Sequence, residues 1–189
     1  VTLEDISAID ESLEAVRTDA SALVAGLSEE AGTQRPAPGV WSIAECLSHL
    51  AVFNRLYLTA MREAAARARK RGQFRRGLAA PGFVGRWFVR WAEPPVTGMK
   101  AKAPKQIRPE PGPSLAEAYS YFQTSHTAVM EFLTANADLD LQGTSFGNPL
   151  VSVIRMRLVT GLLIIAAHER RHLWQARQVR ASFSENRLS

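Results

Sequence analysis

The sequence is nearly without cysteine. Cys46 is the single one, so no internal disulfide can staple the chain and a packed core has to hold it. It also lacks a long apolar run. Leu158 to Ala167 is the longest, is interrupted by Thr160, and is too short to span a bilayer. No secretory signal is visible: Glu4, Asp5 and Asp10 stand where a basic and then an apolar stretch belong, and a cytoplasmic location is expected. No nucleic-acid motif and no interleaving of aromatic with basic residues occurs, which argues against a nucleic-acid partner. No convincing strand pattern, internal repeat or low-complexity tract is found, which leaves an all-α reading.

What is present fits one domain spanning 1–189. The chain is 46% apolar and 22% charged, ordinary for a globular domain able to bury a core without a structural metal. The net charge is +5 and the pI about 9.9. The basic excess is local, at Arg62, Arg67, Arg69, Lys70, Arg71, Arg75 and Arg76, then at Lys100, Lys102, Lys105 and Arg108. We read these as a solvated helix end and a soluble loop, with the capacity to attract an anionic small molecule.

Four helical stretches stand out. From about Thr2 to Leu27, Ile6, Ile9, Leu13, Val16, Ala20, Leu23 and Leu27 step by three and four and form one apolar face. Arg35-Pro-Ala-Pro-Gly39 breaks that pattern into a loop. A second helix begins after Ser42, where Ser42 and Glu45 have capping-box spacing, and fades near Lys70. A long connection, about Arg71 to Pro113, follows. Its Phe83–Trp91 segment reads as a short aromatic helix covering a bundle end. A link of this length lets the next helix run parallel to the one before it. The third helix starts at Ser114, with Glu117 completing a second capping box, and turns Leu115, Ala118, Phe122, Val129 and Leu133 inward. The last is expected to start at Pro149, with Asn148 as N-cap, and to run to about Arg180. The fold class is therefore an all-α four-helix bundle with a long crossover between its second and third helices.

The histidines carry the chemistry. There are only four. His168 and His172 are spaced i and i+4, about 40° apart around a helix, so their ring nitrogens can meet one ion. His49 lies on the inward stripe of another helix, with Ser42, Cys46, Phe53, Leu56 and Ala60. Three imidazoles without a shared partner are costly to bury, which makes His49, His168 and His172 a candidate metal site. Three neutral ligands leave a coordination position open, the pattern of a catalytic site. The string from His168 to His172 also fits HExxH, but Gln175 and Gln178 stand where the extended metzincin motif requires Gly and His, so we set a peptidase aside.

Trp41-Ser-Ile-Ala-Glu-Cys-Leu-Ser-His49-Leu resembles the WSxxEhlxHL signature of the DinB/YfiT-like superfamily, and His168-Glu-Arg-Arg-His172-Leu-Trp-Gln175 resembles its closing HxxxHxxQ signature. The order and spacing agree over nearly the whole chain. The resemblance implies a four-helix bundle of up-down-down-up topology and metal ligation by His49, His168 and His172. It implies metal-dependent activity too: members include transferases that activate a low-molecular-weight thiol, a thiol-dependent maleylpyruvate isomerase, and proteins labelled hydrolases.

The expected cofactor is a divalent ion, zinc first and nickel second, with a low-molecular-weight thiol such as bacillithiol or mycothiol as cosubstrate. A water-activating hydrolase and a non-catalytic, stress-associated metal-binding module are the alternatives. The expected partners are a small thiol or an electrophile, without a membrane, and a homodimer is left open. Glu169 flanks the site as candidate base or as a group that orients a ligand from behind, against a surface salt bridge with Arg170 or Arg171. Gln175 continues the His168–His172 face. Cys46 reads as a small core residue, His126 as a satisfied core histidine, and Trp41 as a packing residue before the capping box.

Overall fold

The computed structural model describes residues 6–95, 103–109, 112–151 and 153–185. Four long helices make up most of it: α1 (Ile6–Val24), α3 (Ile43–Lys70), α5 (Leu115–Ala135) and α6 (Leu158–Glu185). Shorter elements join them: α2 (Glu29–Thr33), α4 (Phe83–Ala92), a 3-10 turn at Lys105–Ile107, and strands β1 (Ser145–Gly147) and β2 (Arg155–Arg157). The expected first residues of α1, at 2–5, lie outside the described residues. Its apolar face is the expected one: Ile9, Leu13, Val16, Ala20 and Leu23 are buried.

Both capping boxes form. Ser42 Oγ accepts from the Glu45 amide at 3.1 Å and the Glu45 carboxylate accepts from the Ser42 amide at 2.9 Å. Ser114 and Glu117 repeat the exchange at 3.1 and 3.3 Å. These reciprocal bonds satisfy amides that a helix start leaves without partners. Burial alone would raise the Glu45 pKa, but Arg35 and Ser42 outweigh it and hold the carboxyl below its ordinary value. At the other end, Arg69 donates to both carboxylate oxygens of Asp138 at 2.7 Å, tying the close of α3 to the close of α5.

Three sequence expectations are corrected here: the start of the last helix, the absence of strands and the place of the short aromatic helix. The last helix starts at Leu158, not Pro149, and an antiparallel hairpin precedes it, pairing Ser145 with Arg157 and Gly147 with Arg155. Asn148 does accept from the Leu150 and Val151 amides, at 2.8 and 3.1 Å, as an N-cap would. The same side-chain chemistry closes a turn as readily as it opens a helix, and here the chain turns back. Phe146 and Met156 point inward between exposed or half-buried neighbours, a period of two too short to stand out in the sequence. The short helix α2, capped by Ser28, was not foreseen. Finally, α4 lies alongside α6 rather than over a bundle end: Gly85 abuts Thr160, and Glu93 binds Arg170.

The apolar core forms two clusters. One contains Ile9 and Leu13 of α1, Phe53 to Ala68 of α3, Val129 to Leu133 of α5 and Leu158 to Ala167 of α6. The other contains Val16 to Leu23 of α1, Ile43 to Leu50 of α3, Leu115 to Phe122 of α5 and Leu173 to Val179 of α6. Between them sit Asn54, Ser125, His126, Glu169 and His172, all buried, with His49 at the boundary. Polar side chains thus occupy a layer across an otherwise apolar interior.

α6 comes close to α3 and the hairpin at Gly161. A Cβ there would stand 2.8 Å from Phe146 Cζ and 3.0 Å from Met61 Sδ. Gly161→Ala should therefore destabilise the protein by about 1–3 kcal/mol, although alanine is the better helix former by about 1 kcal/mol. Urea unfolding measures this. A stabilised variant would show that the packing here is loose.

Candidate metal centre

His49 stands two turns into α3. His168 and His172 stand on successive turns of α6. The packing of α3 on α6 brings all three together, with one ligand atom of each within 4.8 Å of the others. His49 Nε2 is 2.9 Å from His168 Nε2. His49 is 1% exposed and His172 9%; His168 is half-buried and is the most open of the three.

Neighbouring groups orient two of the rings. His49 Nδ1–H donates to the Ile107 carbonyl, which can only accept. The proton is therefore on Nδ1, and the Nε2 lone pair is directed at the partner histidines. His172 Nδ1–H donates to Gln175 Oε1 at 3.0 Å and leaves its own Nε2 lone pair available. This is how metal-binding imidazoles are held: the far nitrogen donates so that the near one can ligate. Phe53 stacks on His168, with centroids 4.0 Å apart and planes at 26°. Trp41 lies 4.8 Å from the His49 ring and 5.8 Å from that of His172.

Burial keeps all three rings neutral. It lowers the His49 pKa to about 4, against an opposing push from the Ile107 bond. It lowers His172 to about 3, helped by the neighbouring His49 and Arg171. His168 is pushed well below its ordinary value by burial first, then by His172 and His49. Neutral imidazoles are the ligating form. The donor set fits one divalent ion, because three nitrogens this close are on the scale of donors roughly 2.1 Å from a common centre.

Glu169 is elsewhere. It is fully buried, so the surface salt bridge is overturned; Arg170 binds Glu93 instead, and Arg171 lies over the Trp91 ring at 5.5 Å. Glu169 Oε1 accepts from Asn54 Nδ2 at 2.8 Å and from His126 Nδ1 at 2.9 Å. Asn54 Nδ2 also reaches Ser125 Oγ at 3.3 Å. Glu169 Oε2, Asn54 Oδ1 and His126 Nε2 are buried without a partner among the described residues. Position 169 thus joins α6 to α3 and α5 one residue from His168, and His126 is a core histidine as expected, but only its Nδ1 is satisfied. Cys46 is buried among apolar neighbours, and that burial raises its thiol pKa. It is not grouped with the histidines.

Sequence reasoning missed three contributors. The Ile107 carbonyl carries no side-chain signal, since any residue supplies one. Phe53 was assigned to the core stripe, and Trp41 to packing before the cap. The stacking of Phe53 on His168 and the tilted contacts of Trp41 with His49 and His172 depend on how the helices meet.

A model of the DinB superfamily matches residues 12–176. The chain belongs to the DinB superfamily. Neither a curated protein nor a solved structure matches it. Both family-like motifs lie within the matched span, and the two histidine segments they contain are the ones brought together here.

Two outcomes follow. In ion-free protein, unfolded imidazoles take up protons near their ordinary pKa of 6.5, whereas His49 and His172 resist until about 4 and about 3. The unfolded state binds more protons between those values, so stability falls as pH falls through that window. Urea midpoints from pH 7 to pH 4 test this, and a His49→Gln/His172→Gln variant should show a shallower slope. Glu169→Ala leaves two buried donors without their acceptor and should cost about 3 kcal/mol. A change under about 0.5 kcal/mol, as at an exposed site, would refute the buried network.

Proposed function

We propose that this DinB-superfamily chain is a metal-dependent enzyme that activates a low-molecular-weight thiol for transfer to an electrophilic carbon. His49, His168 and His172 would hold one divalent ion, zinc first and nickel second. The observation that supports this best is the set of three neutral imidazoles, two buried and one half-buried, two of them with the lone pair directed by a hydrogen bond at the opposite nitrogen. A bound ion of this kind supplies Lewis acidity, which lowers the pKa of a thiol or of water.

The chain's own part is positioning. Ile107 and Gln175 fix two ring orientations, and Phe53 holds the third ring by stacking. Three neutral donors leave the ion's charge uncompensated, which favours an anionic fourth ligand and so a thiolate. His168 is the most open of the three histidines. Glu169 enters this reading as a positioning residue that fixes α6 beside His168; a proton-handling role would show as a loss of turnover in Glu169→Gln without loss of metal.

We also propose the up-down-down-up arrangement, with α3 and α5 parallel across the long crossover. Its support is the order of the two core clusters. Along α1 and α6 the Ile9 cluster precedes the Val16 cluster, and along α3 and α5 the order is reversed.

Elemental analysis of the untagged protein tests the site. Each of His49→Ala, His168→Ala and His172→Ala should reduce bound metal at least tenfold, while His126→Ala retains it. Unchanged stoichiometry in the single variants would refute the site. Calorimetry or cobalt spectra with bacillithiol, mycothiol and glutathione test the chemistry. Thiol binding should require metal and weaken as salt rises. No perturbation by any of the three thiols would turn the reading to hydrolysis.

A further inference from the structure

The helix α4 presents to solvent what an amphipathic helix ordinarily buries. Phe83, Trp87 and Trp91 are 85%, 59% and 65% exposed. Their spacing of four places them within about 80° of arc around the axis. Arg86 and Arg90, both exposed, continue the same side. At roughly 100° per residue the five side chains fall within about 140°.

The orientation is fixed. Val89 and Ala92 are buried in the core. Gly85 lies so close to α6 that a Cβ would stand 2.6 Å from Thr160 Oγ1. Arg171 donates to the Trp91 carbonyl at 3.2 Å and lies over its ring. Glu93, just past the helix, is held by Arg170. The helix cannot roll to hide its aromatics without losing this packing on α6.

The charge of the segment itself has one sign, while Glu93 beyond it is paired with Arg170. From Arg71 to Ala92 the chain carries five arginines and no acidic residue. Leu78, on the connector leading to α4, is 60% exposed. Exposed Trp and Phe beside Arg form the pattern of a helix lying in a lipid interface: the rings enter the headgroup–acyl boundary and the guanidinium groups meet lipid phosphates. A second copy of the chain is a poorer occupant, because apposing two such faces sets arginine rows against each other.

We propose that the outward face of α4, with Phe83, Trp87 and Trp91 as its apolar anchors and Arg86 and Arg90 as its charged contacts, docks the protein on an anionic phospholipid surface. The expectation of no membrane partner rested on the lack of a spanning run. No helix of the described residues is long and apolar enough to cross a membrane, but interfacial docking needs no such helix. The inference does not depend on the metal site.

Flotation of the full chain with vesicles tests it, comparing pure phosphatidylcholine with a three-to-one mixture of phosphatidylcholine and phosphatidylglycerol. The protein should float with the mixed vesicles and remain free with the neutral ones, and binding should fall as salt rises. Arg86→Gln/Arg90→Gln should reduce the partition coefficient about thirtyfold, the effect of two basic side chains at an anionic surface. Phe83→Ser/Trp87→Ser should abolish flotation while circular dichroism and metal content stay unchanged. Trp91 is kept out of that variant because it contacts α6. Absence of flotation overturns the proposal, as does flotation that neither variant alters. Self-association lost in Phe83→Ser/Trp87→Ser, without vesicle binding by the parent, assigns the face to a second copy and equally overturns it.

Discussion

A polar layer inside an apolar bundle is the constraint on which the rest of the structure depends. His49, Asn54, Ser125, His126, Glu169 and His172 are all at least nine-tenths buried. Groups of this kind cost free energy in an apolar interior unless they satisfy one another. Two solutions stand side by side in the layer. One is a hydrogen-bonded cluster in which Glu169 serves Asn54 and His126. The other is a set of imidazoles whose outer nitrogens are satisfied by Ile107 and Gln175, with inner nitrogens left to face one another. The two inward lone pairs of His49 and His172, beside the His168 ring, suit a cation, which can accept several donors at once.

This arrangement explains the adjacency of His168 and Glu169. Neighbours on a helix point about 100° apart, so one residue can face the imidazole cluster while the next faces α5. The apolar clusters on either side of the layer fix the register. Leu158 to Ala167 pack with Phe53 to Ala68, and Leu173 to Val179 pack with Ile43 to Leu50. A slip of α6 by one residue would send Glu169 toward His49 and carry His168 away from it. The packing therefore determines the chemistry available at the site, although none of the residues that set the register has reactive chemistry of its own.

The connection between α3 and α5 serves the site in part. Its 3-10 turn at Lys105–Ile107 delivers the carbonyl that orients His49, and Ile107 is itself buried in the larger cluster. Its earlier part is different. There α4 uses one side to pack on α6 and leaves three large aromatics in water. Stability of the bundle gives no reason for that exposure, because each ring would add more by being buried. A surface of this kind is retained for what it meets.

Sequence alone determined the local features. The capping boxes at Ser42 and Ser114 place two helix starts because their hydrogen bonds lie within four residues, and the heptad-like spacing of Ile9 to Leu23 or Leu115 to Leu133 sets which side of a helix is apolar. The three histidines were legible for the same reason: four histidines in a chain, two at i and i+4 and a third on an inward stripe, and the DinB-like motifs around them, are properties of spacing. What lies across helices was not legible. Asn148 can cap a helix or close a turn with the same bonds, and only the pairing of Phe146 with Met156 chose the turn. Glu169 could have been surface, base or core, and its bonds to Asn54 and His126 exist only once α3, α5 and α6 meet. The Ile107 carbonyl has no sequence signature at all. Short-range hydrogen bonds and helical periodicity are written in neighbouring residues, whereas the partners that bury and satisfy Glu169 lie on segments more than forty residues away.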